Sequence, residues 1–354
     1  MTTPEVRLIG LATASPPFQV DQGTAADVAA EMFQGRVFRT VDLKAIFANT
    51  GIRTRRTARP LEWYLTHRGW DERNAAYLQA AEELWIDAAE GALRAAGVRA
   101  ADVGAVVTVS STGVATPSLE ARLHGRMGFS PSVRRIPVFG LGCAGGVSGL
   151  ALAARLAKVD PGRPVLMTTV ELCSLAYRPD DLSKASVIAS ALFGDGAAAA
   201  VVVADDSAHG RPIEAEAERL WPDSLGIMGW RIDPAGFGVV LSANLPAFIE
   251  AKLPPVLDEV FESAGVDRAS VQRFVCHPGG TRVLQALETA IGVVPGAQDH
   301  ERAVLADFGN MSAPTVFFVL QRVLAAGAHP GRLAMSALGP GFTATFAILG
   351  AERG

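Results

Sequence analysis

Three residues stand where an α/β protein collects reactive groups: Cys143, His277 and Asn310. Cys143 lies in the stretch GLGCAGG (140–146), after a short apolar run and before a segment rich in Ala and Leu. That layout puts its sulfur at a helix N-terminus, where free N–H groups and the helix dipole favour a thiolate, and the flanking glycines let a substrate approach the backbone. The plain alternative is a small core cysteine. His277 ends the run RFVC (273–276) and precedes PGG and a helix from Thr281, so it sits at the carboxyl end of a strand. There a histidine can partner a thiolate as imidazolium or donate an N–H to an oxyanion; structurally it can equally be a satisfied buried ring. Cys276, its neighbour on the strand, should face the opposite side and belong to the core. Asn310 opens another predicted helix, where an N-cap is the ordinary use of an asparagine.

The elements that must position these groups are legible from periodicity. Residues 6–12 (VRLIGLA) read as a first strand, and 104–110 and 135–139 as further short strands. Residues 72–96 carry Tyr77, Ala80, Leu84 and Ala88 at helical spacing before Gly97, a plausible stop. Strands alternating with helices predict an α/β fold. Two echoes run in the same order: 139–156 with 308–324, each FG plus small residues and an apolar helix, and 192–203 with 338–349, each a Gly-x-Gly turn opening an apolar strand. The shared abundance of Gly and Ala is the competing explanation. Taken as duplication, the echoes predict two units, 1–210 and 211–354, with the polar stretch 205–218 as linker. In such a two-fold fold the starts of the echoing helices meet, bringing Asn310 towards Cys143.

Composition narrows the function. Of 354 residues, 49% are hydrophobic and 19% charged, and the net charge of −4 offers no basic field for nucleic acid or anionic lipid. The most apolar run, 197–204, is far short of the roughly 20 residues that span a bilayer, and the N-terminus lacks the layout of a secretory signal, so a soluble cytoplasmic protein is expected. Three cysteines without a CxxC pair suggest free thiols rather than disulfides or zinc. A GxxxxGK pattern is absent.

The motifs GCAGG around Cys143, LFGDGAAA from Leu192, CHPGG around His277, GNMSAPT around Asn310 and LGPGFT from Leu338, in this order, resemble the thiolase-fold condensing enzymes, and among them the chalcone-synthase-like type III polyketide synthases. The resemblance implies a thiolase fold of duplicated βαβαβαββ halves stacked in five αβαβα layers. It implies an acyltransferase with Cys143, His277 and Asn310 as catalytic set, acyl-CoA and malonyl-CoA as substrates, no metal or redox cofactor, and a homodimer in which the Thr116 loop reaches the partner's cavity. Phe193 matches an aromatic gatekeeper; Val239 stands where plant enzymes have a second phenylalanine, and Cys173 and Ala176 where they have threonines, which implies a roomier, less polar pocket. Arg53, Arg55 and Arg56 form a basic run that either meets CoA phosphates or is solvated surface.

Segments 111–123 and 228–246, with Thr116 and Trp230, look most like bacterial synthases that load long fatty acyl starters and make alkylpyrones, alkylresorcinols or alkylresorcylic acids; Arg231 departs from the acidic residue expected after that tryptophan. The alternatives are a malonyl-primed tetrahydroxynaphthalene-type synthase, a single-condensation ketoacyl synthase III, and a non-enzymatic scaffold, the last disfavoured by the complete catalytic set.

Overall fold

A computed structural model describes residues 4–32, 42–327 and 331–352. The chain runs β1 (Val6–Ala14), β2 (Phe18–Asp21), α1 (Gln22–Met32), α2 (Leu43–Ala48), β3 (Thr54–Thr57), α3 (Leu61–Tyr64), α4 (Trp70–Ala96), β4 (Ala105–Val109), α5 (Leu119–Met127), β5 (Arg134–Val138), α6 (Gly145–Val159), β6 (Val165–Leu172), α7 (Lys184–Leu192) and β7 (Asp195–Ala204). It continues with β8 (Arg211–Leu220), β9 (Met228–Asp233), β10 (Gly236–Leu241), α8 (Leu245–Ala264), β11 (Val271–Cys276), α9 (Thr281–Ile291), α10 (Asp299–Phe308), α11 (Thr315–Ala325), β12 (Arg332–Gly339) and β13 (Thr343–Leu349).

The principal strands follow the order β11-β12-β13-β8-β1-β7-β6-β4-β5. Strand β4 is parallel to β6, β6 antiparallel to β7 and β7 antiparallel to β1; likewise β11 is parallel to β12, β12 antiparallel to β13 and β13 antiparallel to β8. The echoing segments thus take equivalent places, β7 with β13 and α6 with α11. One element breaks the repeat: β5 delivers Cys143 in the first half, whereas α10 delivers Asn310 in the second.

Side-chain alternation along each strand builds the layers. On β7, Ala197, Ala199 and Val201 pack against α4, while Ala198, Ala200 and Val202 face a central core made with α6 and α11. On β12, Leu333 and Met335 join that core and Ala334 and Leu338 pack under α8 and α9. The result is helix, sheet, paired helices, sheet, helix, the five layers that the resemblance implies. Helix α4 begins with Asp71 and Glu72 in its first turn and stops at Gly97 (φ 64°), two residues longer at its start than the periodicity predicts. The predicted linker is corrected: most of 205–218 belongs to β8, whose Glu216 and Glu218 are paired in register with β13. Among the described residues, no helix is long and apolar enough to cross a membrane.

Candidate active site

Strand β5 ends at Val138, and a single 3-10 turn, Gly142–Ala144, sets Cys143 immediately before α6. Helix α6 can come this close to α11 because Gly146 lacks a side chain: a Cβ there would stand 2.4 Å from the Ala313 carbonyl oxygen. This contact brings the two echoing helix starts together.

Asn310 lies in the segment before α11, not at its N-cap, which is Pro314 with no side-chain bond. Its backbone is tied to the loop carrying Phe193: Asn310 N donates to Leu192 O and Gly194 N to Asn310 O, both at 2.9 Å. Its amide is oriented at both ends, Oδ1 accepting from Ser312 N (2.8 Å) and Nδ2 donating to Gly279 O (3.3 Å). Ser312 itself adopts a left-handed φ of 59°, a conformation a non-glycine residue keeps only where its surroundings enforce it. His277 follows β11, fixed by His277 N donating to Ser336 O at 2.8 Å. Cys276 turns the other way into the outer core, with Ser336 Oγ 3.2 Å from its sulfur.

Cys143, His277, Asn310 and Ser312 line one cavity of about 80 Å³, with Phe193, Trp230 and Val239 among its apolar walls. Burial pushes the Cys143 thiol up to about 11; hydrogen bonds from Ser312 and Asn310 to the sulfur pull against this, and the Glu171 carboxyl pushes with it. Burial lowers His277 to about 3, and neither ring nitrogen has a partner among the described residues. Burial thus works against both charged forms, opposing the thiolate that the helix N-terminus favours and the imidazolium that would partner it. A neutral imidazole carries one N–H and one lone pair, so the ring can take a proton and donate another.

A second cavity of about 110 Å³ adjoins the first and shares Cys173, Phe193, Trp230 and Val239 with it. It continues past Ala176 and Tyr64 to Val28 and Phe47 between α1, α2 and α3. Five expected pocket residues thus gather at or near one junction. Thr116 does not: it is exposed on the loop between β4 and α5 and lines neither cavity of its own chain.

The basic run is also corrected. Strand alternation turns Arg55 inward, where it is 5% exposed and donates to the carbonyls of Ser190 and Phe193 and to Gln22 Oε1. Its guanidinium is committed to the fold and unavailable to a CoA phosphate. Arg53 is exposed and paired with Asp307, and Arg56 is half-buried.

Sequence reasoning missed Glu171, at the end of β6. It is fully buried, accepts from Ser111 N (3.1 and 3.0 Å) and Thr112 Oγ1 (2.7 Å), and is pushed up to about 8 by burial. A lone carboxylate inside the otherwise uncharged run VLMTTVEL was the available signal. Among the described residues no three His, Cys, Asp or Glu side chains gather as a metal site.

Residues 7–206 match the family described as chalcone and stilbene synthases, N-terminal domain, and 213–348 the corresponding C-terminal domain. The chain is 38% identical to a 1,3,6,8-tetrahydroxynaphthalene synthase of Streptomyces peucetius subsp. caesius, over 95% of this chain and 91% of that one. It is 33% identical to a putative chalcone synthase of Bacillus subtilis, over 98% and 99%. The crystal structure of 1,3,6,8-tetrahydroxynaphthalene synthase from Streptomyces coelicolor A3(2) superposes with a TM-score of 0.93 at 30% identity, covering 98% of this chain and all of that one.

Proposed function

The chain belongs to the chalcone and stilbene synthase family, the type III polyketide synthases, and on that premise we propose that it extends a long-chain fatty acyl starter to an alkylpyrone or alkylresorcinol. As a family member it is an acyltransferase that condenses malonyl-CoA units iteratively, with CoA thioesters as substrates.

In our reading the His277 lone pair takes the Cys143 proton as sulfur attacks the starter thioester, and the imidazolium then protonates the departing CoA thiolate. Malonyl-CoA loses CO₂; the electron pair of the broken bond moves onto the thioester oxygen as an enolate, stabilised by the His277 N–H and Asn310 Nδ2. The enolate carbon attacks the acyl-Cys143 carbonyl and expels the thiolate, leaving a β-ketoacyl-CoA that can reload. The observation that supports this assignment is the largely apolar-walled cavity holding Cys143, His277 with two unpartnered nitrogens, and the oriented Asn310 amide.

The apolar second cavity supports the long starter, since each enclosed methylene contributes about 0.8 kcal/mol. A malonyl-primed reading is favoured by the 38% identity to a tetrahydroxynaphthalene synthase. Mass analysis of products from malonyl-CoA with acyl-CoA starters of graded length separates the two: we expect long-chain pyrones or resorcinols, and turnover of malonyl-CoA alone with no long starter accepted would refute the proposal. Cys143→Ala must abolish extension of every starter.

A homodimer is part of the proposal. Strand β5 ends the sheet with Arg134, Arg135 and Pro137 exposed, Phe139 beyond it is 54% exposed, and the exposed Thr116 loop lies on the same half. A second copy docked there would give Thr116 its cavity.

A further inference from the structure

Strands β9 and β10 form a two-stranded ribbon that joins neither edge of the main sheet. Its cross-strand partners Trp230 and Val239 line both cavities. The opposite wall of the junction comes from the turn Cys173–Ala176, which follows β6. No strand pairing connects these two walls, so their separation depends on side chains.

Three charged residues make that connection. Arg178, two residues past the turn, donates to both Asp233 oxygens at 2.9 and 2.8 Å at the ribbon's tip. The Arg178 guanidinium holds the Asp233 carboxyl below its ordinary range. Arg73, from the first turn of α4 and 5% exposed, donates to Tyr177 O (3.3 Å) on the turn's side and to Ala235 O on the ribbon's side. The tip is also seated tightly: Gly236 has φ +101°, and a Cβ there would lie 2.6 Å from the Trp70 ring. From the tip the contact runs inward, Trp70 edge-on to Phe237 at 4.8 Å and Phe237 stacked on Trp230 at 5.6 Å.

We propose that Arg73, Arg178 and Asp233 form a clamp that sets the width of the throat between the two cavities, and that they are thereby positioning residues for selection of the acyl starter. The selection rests on the reading that the starter enters the second cavity; the clamp itself does not. Charge-assisted hydrogen bonds from Arg178 Nη1 to both Asp233 oxygens hold two walls at a defined spacing, which neutral packing of Trp230 and Val239 towards Cys173 and Ala176 alone would leave adjustable.

Two measurements test this on Asp233→Asn, Arg178→Gln and the exchanged pair Arg178→Asp with Asp233→Arg. The first is alkylation of Cys173, on the throat wall, by N-alkyl maleimides of graded size, read site by site by mass spectrometry. Each single variant should accelerate labelling by the bulky reagents about fivefold, as expected for loss of a hydrogen bond worth about 1 kcal/mol, and leave the smallest reagent unchanged; the exchanged pair should return towards the parent. The second is the KM and kcat for acyl-CoA starters, where the longest accepted starter should lengthen and KM for long chains change about fivefold, with acetyl loading of Cys143 unaltered. Singles that only melt earlier, with parental size dependence at Cys173 and a parental starter profile, overturn the clamp. Altered size dependence at Cys173 in an enzyme that takes no long starter keeps the clamp and rejects the functional reading.

Discussion

The protonation state of the resting site has a measurable signature. With the Cys143 thiol near 11, the thiolate fraction at pH 8 is on the order of one in a thousand and rises about tenfold per pH unit. Alkylation of Cys143 by iodoacetamide, followed as the modified peptide by mass spectrometry, should therefore rise with a slope of about one in log rate from pH 6.5 to 10 without a plateau. The sulfur's hydrogen bonds set the height of that line. Ser312→Ala removes one of them, and a hydrogen bond to a charged group contributes about 1.5 kcal/mol, roughly one pKa unit. The thiolate becomes about tenfold rarer, while its greater basicity recovers about threefold in reactivity, so the net loss at fixed pH is about threefold. His277→Gln should leave the alkylation profile in place yet abolish condensation, because a ring lowered to about 3 by burial carries no charge to stabilise the free thiolate. A rate already flat from pH 6.5 upward, and insensitive to Ser312, would refute this reasoning and establish a pre-formed thiolate–imidazolium pair.

Ala176→Leu places a branched side chain in the second cavity and should cut kcat/KM for long-chain starters about tenfold or more while malonyl-CoA-only turnover changes little; equal losses on both would remove the acyl chain from that cavity. Glu171 keeps its proton to about pH 8 in the folded protein but loses it near 4.5 when unfolded, so a raised folded pKa makes its stabilising share complete below pH 4.5 and lost as pH rises towards 8. Glu171→Gln should remove that slope: by urea unfolding between pH 6.5 and 8, where the unfolded-state titration of His277 is common to both proteins and cancels, the variant gains on the parent by up to about 1.4 kcal/mol per pH unit, and parallel curves would contradict the buried neutral carboxyl.

How much of this was legible beforehand follows from which signals are local. Cys143, His277 and Asn310 each sit at a glycine-bounded junction between a strand or turn and a helix, and such junctions are written in adjacent residues. Helix α4 and strand β7 were legible for the same reason, one from 3.6-residue spacing and one from an unbroken apolar run. Strand β8 was misread because its charges were taken as linker polarity, although Glu214, Glu216 and Glu218 recur with the period of two that marks a strand. Arg55 failed likewise: Arg55 and Arg56 are adjacent in sequence, yet a strand sends alternate residues to opposite faces, and only one face met Ser190, Phe193 and Gln22. The charge state of Cys143 was out of reach altogether, because helix position is a local property whereas burial is a tertiary one.

That same burial explains why the site can be quiet when empty and reactive when filled. An isolated thiolate is costly in a buried cavity even with hydrogen bonds from Ser312, Asn310 and the Cys143 backbone, so burial favours a protonated Cys143 that is poorly nucleophilic towards adventitious electrophiles. In the proposed mechanism a bound thioester changes the balance locally: proton transfer from sulfur to His277 coincides with charge developing on the thioester oxygen, for which the His277 N–H and the Asn310 amide, oriented by Ser312 N and Gly279 O, are the proposed donors. Charge is created only where a partner for it is present. The low dielectric that raises the thiol to about 11 strengthens each of those interactions, so the resting protonation of Cys143 and the stabilisation of the enolate have one physical origin.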